Sequence, residues 1–282
     1  MGQDNGESSE FARANDNSGR EFVRALARGL AVIESFAGTQ HPLTLSEIAA
    51  RTKLSRGTVR RALITLDALG YLSDERGRFT LTPRVLRLGY SYLSSQPLWA
   101  LARPYVEAVS GETGETASLA VLDAGMIVYV LRVVAPRLLQ DALTVGTRLP
   151  AYCASMGRVL IAGLPEPELD RYFRETEFRQ LTPFTVIDAD RLKAIIALTR
   201  ETGFAVNDQE MEVGLRSIAV PITNLEGAVV AALNVSSSTA RISHVEMEKN
   251  FLPMLKSAAR EISNLLVHSG LGSPQYPTAP EY

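Results

Sequence analysis

The chain has 282 residues, 46% of them apolar and 21% charged, with a formal net charge of −2 and a single cysteine. At roughly 100 to 200 residues per domain, this length predicts two domains, each able to bury its own core. No apolar run reaches the ~20 residues that cross a bilayer, one cysteine excludes an internal disulfide framework and a Cys-rich zinc site, and the acidic opening stretch lacks the basic flank and apolar core of a secretory signal; a cytoplasmic protein without cofactor or membrane partner is expected.

Charge is segregated along the chain. Residues 1–19 carry one Arg against four acids, residues 20–90 carry twelve Lys/Arg against six acids, and the remainder carries sixteen against twenty-one. A basic module joined to a larger acidic body suits a polyanion-binding head on a non-binding partner domain. Residues 1–19 read as a disordered tail.

Within 21–37, Val23, Leu26, Leu30, Ile33 and Phe36 recur every three or four positions, the period of a helix with one buried face. Residues 38–42 read as a loop. Thr44, followed three residues later by Glu47, forms a capping box that starts a short helix through Ile48 and Arg51. After the turn Lys53-Leu54, Ser55 caps a third helix carrying Val59, Leu63, Leu66 and Leu69, and Gly70 ends it. Residues 71–73 and 78–81 predict two short strands around a turn at Glu75-Arg76-Gly77. Three helices with a tight turn between the last two, then a small hairpin, make a winged helix-turn-helix over 20–82. With Val59, Leu63 and Leu66 facing inward, Ser55, Arg56, Thr58, Arg60 and Arg61 stand at the end that enters a major groove, where Arg matches guanine acceptors and hydroxyls match phosphates. Arg76 and Arg78 flank the wing glycine, within reach of phosphates or the adjacent minor groove. Thr44 joins them as a candidate DNA contact.

Thr82-Pro83 caps a linker helix over 83–92, whose Val85, Leu86, Leu88 and Tyr92 form an apolar stripe suited to a second copy of the chain. The linker segment extends to 97, with a break at 94–97, and a further helix over 98–111, bent at Pro104, enters the second domain. There the pattern turns to strands at 116–122, 126–133, 138–145, 217–222 and 229–235. Helices are expected at 155–162, 166–174 and 190–202, and a long C-terminal helix begins at Ser243 and Glu246. This order predicts an α+β sensor domain over 98–268, a mostly antiparallel sheet flanked by helices. The tail 269–282 reads as flexible.

The stretches LARGLAVIESF, LTLSEIAARTKLSRGTVRRALITLDALGYL and RFTLTPRVLRLG resemble the DNA-binding domain of the IclR family of bacterial regulators. The resemblance implies a GAF-like effector domain at the C-terminus, a homodimer or a tetramer, a pseudo-palindromic double-stranded DNA operator, and RNA polymerase as a further partner for an activator. It also implies an effector site for a small organic acid at a loop-to-helix start, a strand with the sequence GLR plus a small residue, and the last strand. Here these become Ser155 and Met156; Asn207, Leu215 and Ser217; and Asn234 and Ser236. Family members that bind small keto acids often carry an acid where this chain has Asn207 and a cysteine where it has Ser217, and this chain departs from that pattern. Free N–H groups at the start of the helix after Cys153-Ala154 suit a carboxylate. Arg148, Arg158 and Arg216 are the available cations for a second one.

The segment DALTVGTRLPAYCASMGRVLIAG resembles the subgroup that controls breakdown of aromatic acids through the β-ketoadipate pathway. It implies a repressor whose effector is protocatechuate, 4-hydroxybenzoate or β-ketoadipate. The alternative is an IclR-type regulator of another carbon-source pathway, responding to a different organic acid. An enzymatic reading would need Cys153 as nucleophile with His41 or His244 as base, and nothing in the sequence brings either histidine to it. Walker, GxSxG, HExxH and CxxC patterns are all absent.

Overall fold

The computed structural model describes residues 22–95, 98–135 and 143–268. The tails at 1–19 and 269–282 and most of the strand expected at 138–145 lie outside them. The chain divides into two compact units between Ser94 and Ser95.

In the first unit, α1 (Arg24–Glu34), α2 (Leu45–Thr52) and α3 (Arg56–Ala68) surround a core in which Val32, Ile48, Val59 and Leu63 are fully or almost fully buried. Local chemistry sets the boundaries. Thr44 and Glu47 form the reciprocal capping box, with Glu47 Oε2 accepting from Thr44 N at 2.7 Å and Thr44 Oγ1 from Glu47 N at 3.3 Å. Lys53 ends α2 in a left-handed conformation, φ 53°, and Ser55 Oγ accepts from Thr58 N to begin α3. β2 (Leu72–Glu75) and β3 (Arg78–Leu81) form the hairpin, closed by Gly77 N donating to Asp74 Oδ1. A third strand, β1 (Leu43–Thr44), pairs with β3; in the sequence it looks only like the approach to the capping box. Two residues carry too little periodicity to register as a strand until β3 supplies the partner.

Only the C-terminal part of the expected apolar face reaches the core, where Phe36 is buried and Ile33 packs against the cluster. Val23, Leu26 and Leu30 are 62%, 64% and 44% exposed, while Ala31, Val32 and Phe36 enter the core. Thr82 caps a short 3-10 turn (Pro83–Val85) that leads into α4 (Leu86–Ser95), so the helix continues through Ser94 and Ser95, where a break is expected from sequence. Leu86, Leu88, Tyr90 and Tyr92 on α4 are all exposed.

The second unit begins with α5 (Leu98–Thr113), which contains Pro104. Its strands are β4 (Thr116–Asp123), β5 (Met126–Val133), β6 (Arg148–Pro150), β7 (Ala205–Asp208), β8 (Leu215–Thr223) and β9 (Val229–Ser238), in the order β6-β5-β4-β9-β8-β7 with every pairing antiparallel. A 3-10 turn (Ala151–Cys153) links β6 to α6 (Ser155–Ala162), followed by α7 (Glu166–Glu175) and α8 (Ala189–Thr202). The last helix, α9 (His244–His268), starts at a second reciprocal box, with Ser243 N donating to Glu246 Oε2 at 3.0 Å and Glu246 N to Ser243 Oγ at 3.2 Å. α5 and α9 pack together on the sheet; Ala120, Ala205, Ala219 and Ala232 on the sheet share a core cluster with α6 and α8.

Three details differ from the sequence reading, the first being that β6 at Arg148–Pro150 falls beyond the strand expected at 138–145. Residues 143–147 form a turn, with Thr147 N donating to Thr144 O at 3.0 Å, instead of the end of a strand. β7 is an addition, because four residues ending in Asn207-Asp208 look like a loop after Gly203.

Candidate functional site

On the first unit, α3 exposes Arg56, Arg60 and Arg61 while Val59, Leu63 and Leu66 anchor its other side. Thr58 is half-buried. The hydroxyls of Ser55 and Thr44 are partly engaged locally: Ser55 Oγ lies 2.9 Å from Thr58 Oγ1, and Thr44 Oγ1 donates to Glu47 Oε2 at 2.7 Å. Arg76 and Arg78 are exposed on the wing. Arg76 and Gly77, the two central residues of the hairpin turn, have φ of 58° and 80°. Positive φ at both positions matches the twist of the flanking strands, and Asn-Gly or Asp-Gly is the usual solution. The arginine there carries backbone strain and sets a cation at the tip of the hairpin.

On the second unit, the strand register gathers residues that lie far apart in sequence. Antiparallel Cα partners point to the same side of a sheet. Asn207, Ser217, Ser236 and Thr116 therefore form one cross-strand row over β7, β8, β9 and β4. Asn234 lies in the next row on the same face, and Leu215 flanks Ser217 two residues along β8. Against this face stands the start of α6, whose Ser155 Oγ is 2.8 Å from Ser217 Oγ. Asn207 Nδ2 donates to the Cys153 carbonyl at 2.7 Å, which ties β7 to the turn before α6. Met156 is 1% exposed within the core beneath the sheet. Six of the seven expected effector residues are thus drawn to one sheet face and the facing helix start, with Met156 packed behind them.

The helix start is held tightly. A Cβ on Gly157 would lie 2.0 Å from the Ala151 carbonyl oxygen, so only glycine allows α6 to approach the preceding turn. Arg158, 3% exposed, donates to Tyr152 O at 3.0 Å and Val206 O at 3.3 Å and pairs with Glu210 at 2.7 Å. Glu210 Oε2 also accepts from Val186 N at 2.9 Å. Arg158 is consequently a brace. Arg216 points to the opposite side of β8 from Ser217 and is engaged by Asp208 and the Ile242 carbonyl; Arg148 pairs with Asp123 at the exposed end of β6. None of these three cations serves the polar rows.

Sequence reading misses Ser118 and Arg132, which the register places beside Asn234. A usable signal is present: Thr116 and Ser118, like Asn234 and Ser236, alternate polar with apolar within otherwise buried strands. Burial pushes the Cys153 thiol up to about 12, and its Sγ donates weakly to Pro150 O. Such a thiol is a packed apolar group. A groove of about 410 Å³ lined by Val220, Thr223, Lys256 and Arg260 opens against α9. Val220 faces away from Ser217, so this groove is separate from the polar rows. Among the described residues, no group of three or more His, Cys, Asp or Glu could hold a metal ion, and no helix is long and apolar enough to cross a membrane.

A basic recognition helix with a wing, followed by an α+β domain with a polar sheet face, defines a DNA-binding regulator with a sensory module. The family described as "Bacterial transcriptional regulator IclR C-terminal" matches residues 90–264, and the "IclR helix-turn-helix domain" matches residues 25–76. The chain belongs to the IclR family and is a transcription regulator. It is 43% identical over 247 residues to the Pca regulon regulatory protein of Pseudomonas putida, covering 87% of this chain and 85% of that one. It is 36% identical over 266 residues to the p-hydroxybenzoate hydroxylase transcriptional activator of Acinetobacter baylyi, covering 92% and 96%. Among solved structures, an IclR homolog from Microbacterium hydrocarbonoxydans complexed with 4-hydroxybenzoate superposes with a TM-score of 0.72 at 26% identity, covering 86% and 98%. These relatives are regulators by their names.

Proposed function

We propose that this regulator represses genes for breakdown of aromatic acids through the β-ketoadipate pathway and is released from its operator by an acid bound at Ser155, Met156, Asn207, Leu215, Ser217, Asn234 and Ser236. The observation that carries the reading is the polar sheet face that meets the N-terminus of α6 inside an otherwise apolar core. Helix-start N–H groups favour a carboxylate, and flanking hydroxyls and amides supply further hydrogen bonds. The names of the relatives, a Pca regulon regulatory protein and a p-hydroxybenzoate hydroxylase transcriptional activator, support the aromatic-acid part of the reading.

Two subunits would place their α3 helices in successive major grooves, with Arg56, Arg60 and Arg61 on bases and phosphates and Arg76 and Arg78 on the flanking backbone. The exposed stripes of α1 (Val23, Leu26, Leu30) and α4 (Leu86, Leu88, Tyr90) are the surfaces a twin subunit would cover. Ligand and operator are then coupled reciprocally, and a coupling of ~1–3 kcal/mol changes operator affinity roughly 5- to 150-fold. The test is calorimetric titration of the full chain with 4-hydroxybenzoate, protocatechuate and β-ketoadipate, followed by operator binding with and without each. Saturable binding that weakens the operator complex is expected. Binding of none of them would overturn the aromatic-acid reading, and a ligand that tightens the complex would overturn repression.

A further inference from the structure

The sheet face that carries Ser217 holds a second polar cluster. Arg132 on β5 pairs with Ser118 on β4, and Ser118 pairs with Asn234 on β9, so the three share one row. A bulge brings Arg132 there. Leu131 and Tyr129 oppose the adjacent residues Leu119 and Ala120, with Val130 extra, and so Tyr129 and Arg132 emerge on the same face. Arg132 Nη1 donates to Ser118 Oγ at 3.2 Å, and its guanidinium carbon stands 5.2 Å from the Tyr129 ring centroid. Asn234 is 5% exposed, yet its Oδ1 accepts no hydrogen bond. A buried amide oxygen in that state calls for a donor. Burial disfavours the charge on Arg132 and the Tyr129 hydroxyl favours it; a ligand oxygen beside it would add to the favourable side.

We propose that Arg132, Ser118 and Asn234 form a subsite for the oxygen at the far end of the effector, so that the domain selects two-ended acids, hydroxybenzoates or dicarboxylates, over monoacids of the same skeleton. The inference rests on the acid-sensing reading above, in which the first carboxylate lies beside Ser155 and Ser217. Ser217 and Arg132 are three strands apart, about 14 Å at the usual strand spacing. The arginine side chain reaches back across β4, and the remaining separation is commensurate with a substituted benzoate or a six-carbon chain. A ring hydroxyl uses the row fully, accepting from Arg132 and donating to Asn234 Oδ1. A carboxylate accepts from Arg132 and is met by Nδ2 when the Asn234 amide is turned over.

The test uses two pairs of probes that differ only in the far oxygen: benzoate with 4-hydroxybenzoate, and hexanoate with adipate. Calorimetry on the full chain should show at least one two-ended member binding tighter than its monoacid, on the order of 10- to 100-fold, as befits a charge-assisted hydrogen bond. Arg132→Met should bring the affinity ratio within each probe pair close to one, and Arg132→Lys should restore part of the preference. Equal affinities within both pairs in the wild type, a measurement that needs no variant, would overturn the proposal. So would an Arg132→Met protein that keeps the preference. Binding of the chain-acid pair alone would sink the aromatic reading and spare the subsite. Silence with all four probes would remove both.

Discussion

Replacing Gly157 by Ala is the sharpest single perturbation the sensor domain offers. The added Cβ would sit 2.0 Å from Ala151 O, 2.4 Å from Ala151 Cα and 2.5 Å from Ala151 C, all backbone atoms of a buried turn. Relief requires α6 to move by more than about 1 Å, since ordinary contact begins well beyond 3 Å and close-packed interiors offer little slack. Overpacking of this kind costs about 1–3 kcal/mol and occasionally more. A clash with backbone atoms, which cannot rotate away, belongs at the upper end of that range, and alanine recovers up to about 1 kcal/mol of helix propensity, so a net loss of about 2 kcal/mol is expected. For a unit of this size, that corresponds to a melting temperature lower by roughly 4–8 °C. The same displacement separates Ser155 from Ser217, which are 2.8 Å apart, so 4-hydroxybenzoate affinity should fall more steeply than stability. The checks are thermal unfolding followed by near-UV circular dichroism and calorimetric titration of the folded variant. A Gly157→Ala protein that melts with the wild type and binds the acid equally well would refute the close approach of α6 to the 151–153 turn.

Removing one partner of the buried pair, Arg158→Met, should cost about 3–5 kcal/mol in urea unfolding because Glu210 is left buried without its partner, whereas Arg158→Met with Glu210→Leu should cost less than the single change; additive losses would show that the pair is not coupled. The Cys153 thiol is raised from 9.0 to about 12, so its contribution to stability is complete below pH 9 and is lost as pH rises from 9 towards 12. The wild type should therefore lose stability relative to Cys153→Ala over that window, and parallel pH profiles would contradict it. Arg56→Ala or Arg61→Ala should weaken operator binding, and each arginine–phosphate pairing removed should flatten the dependence of log K on log salt by about 0.9; unchanged binding by either variant would displace α3 from the groove. Arg76→Asn creates the favoured Asn-Gly turn and should stabilise the DNA-binding unit by up to about 1 kcal/mol while weakening the operator complex. A variant that gains stability without losing affinity would remove the wing arginine from the interface.

The local grammar of helix starts is written in the sequence. Thr44 with Glu47, Ser55, Thr82-Pro83 and Ser243 with Glu246 each mark a helix start through hydrogen bonds spanning two to three residues, and Val59, Leu63 and Leu66 state which side of α3 is buried. Short-range hydrogen bonds and the 3.6-residue period need no knowledge of the rest of the chain. The exposure of Val23, Leu26 and Leu30 is not legible there, because an apolar stripe has the same period whether its own core or a second subunit covers it.

In the second unit, the sequence determined the strands that carry Ser217 and Asn234 and the small-residue helix start at Ser155, but not the extension of the last strand through Ser236, nor the neighbours of these residues. Which residue lies across from which depends on register between strands joined by long connections, and that is fixed by tertiary packing. Only the fold could show that Arg158 and Arg216 are committed to Glu210 and Asp208, and that a one-residue bulge turns Arg132 towards Ser118 and Asn234. Sequence pattern specifies how each segment meets solvent or core. Long-range pairing decides which of those segments meet one another, and the candidate effector site exists only where they do.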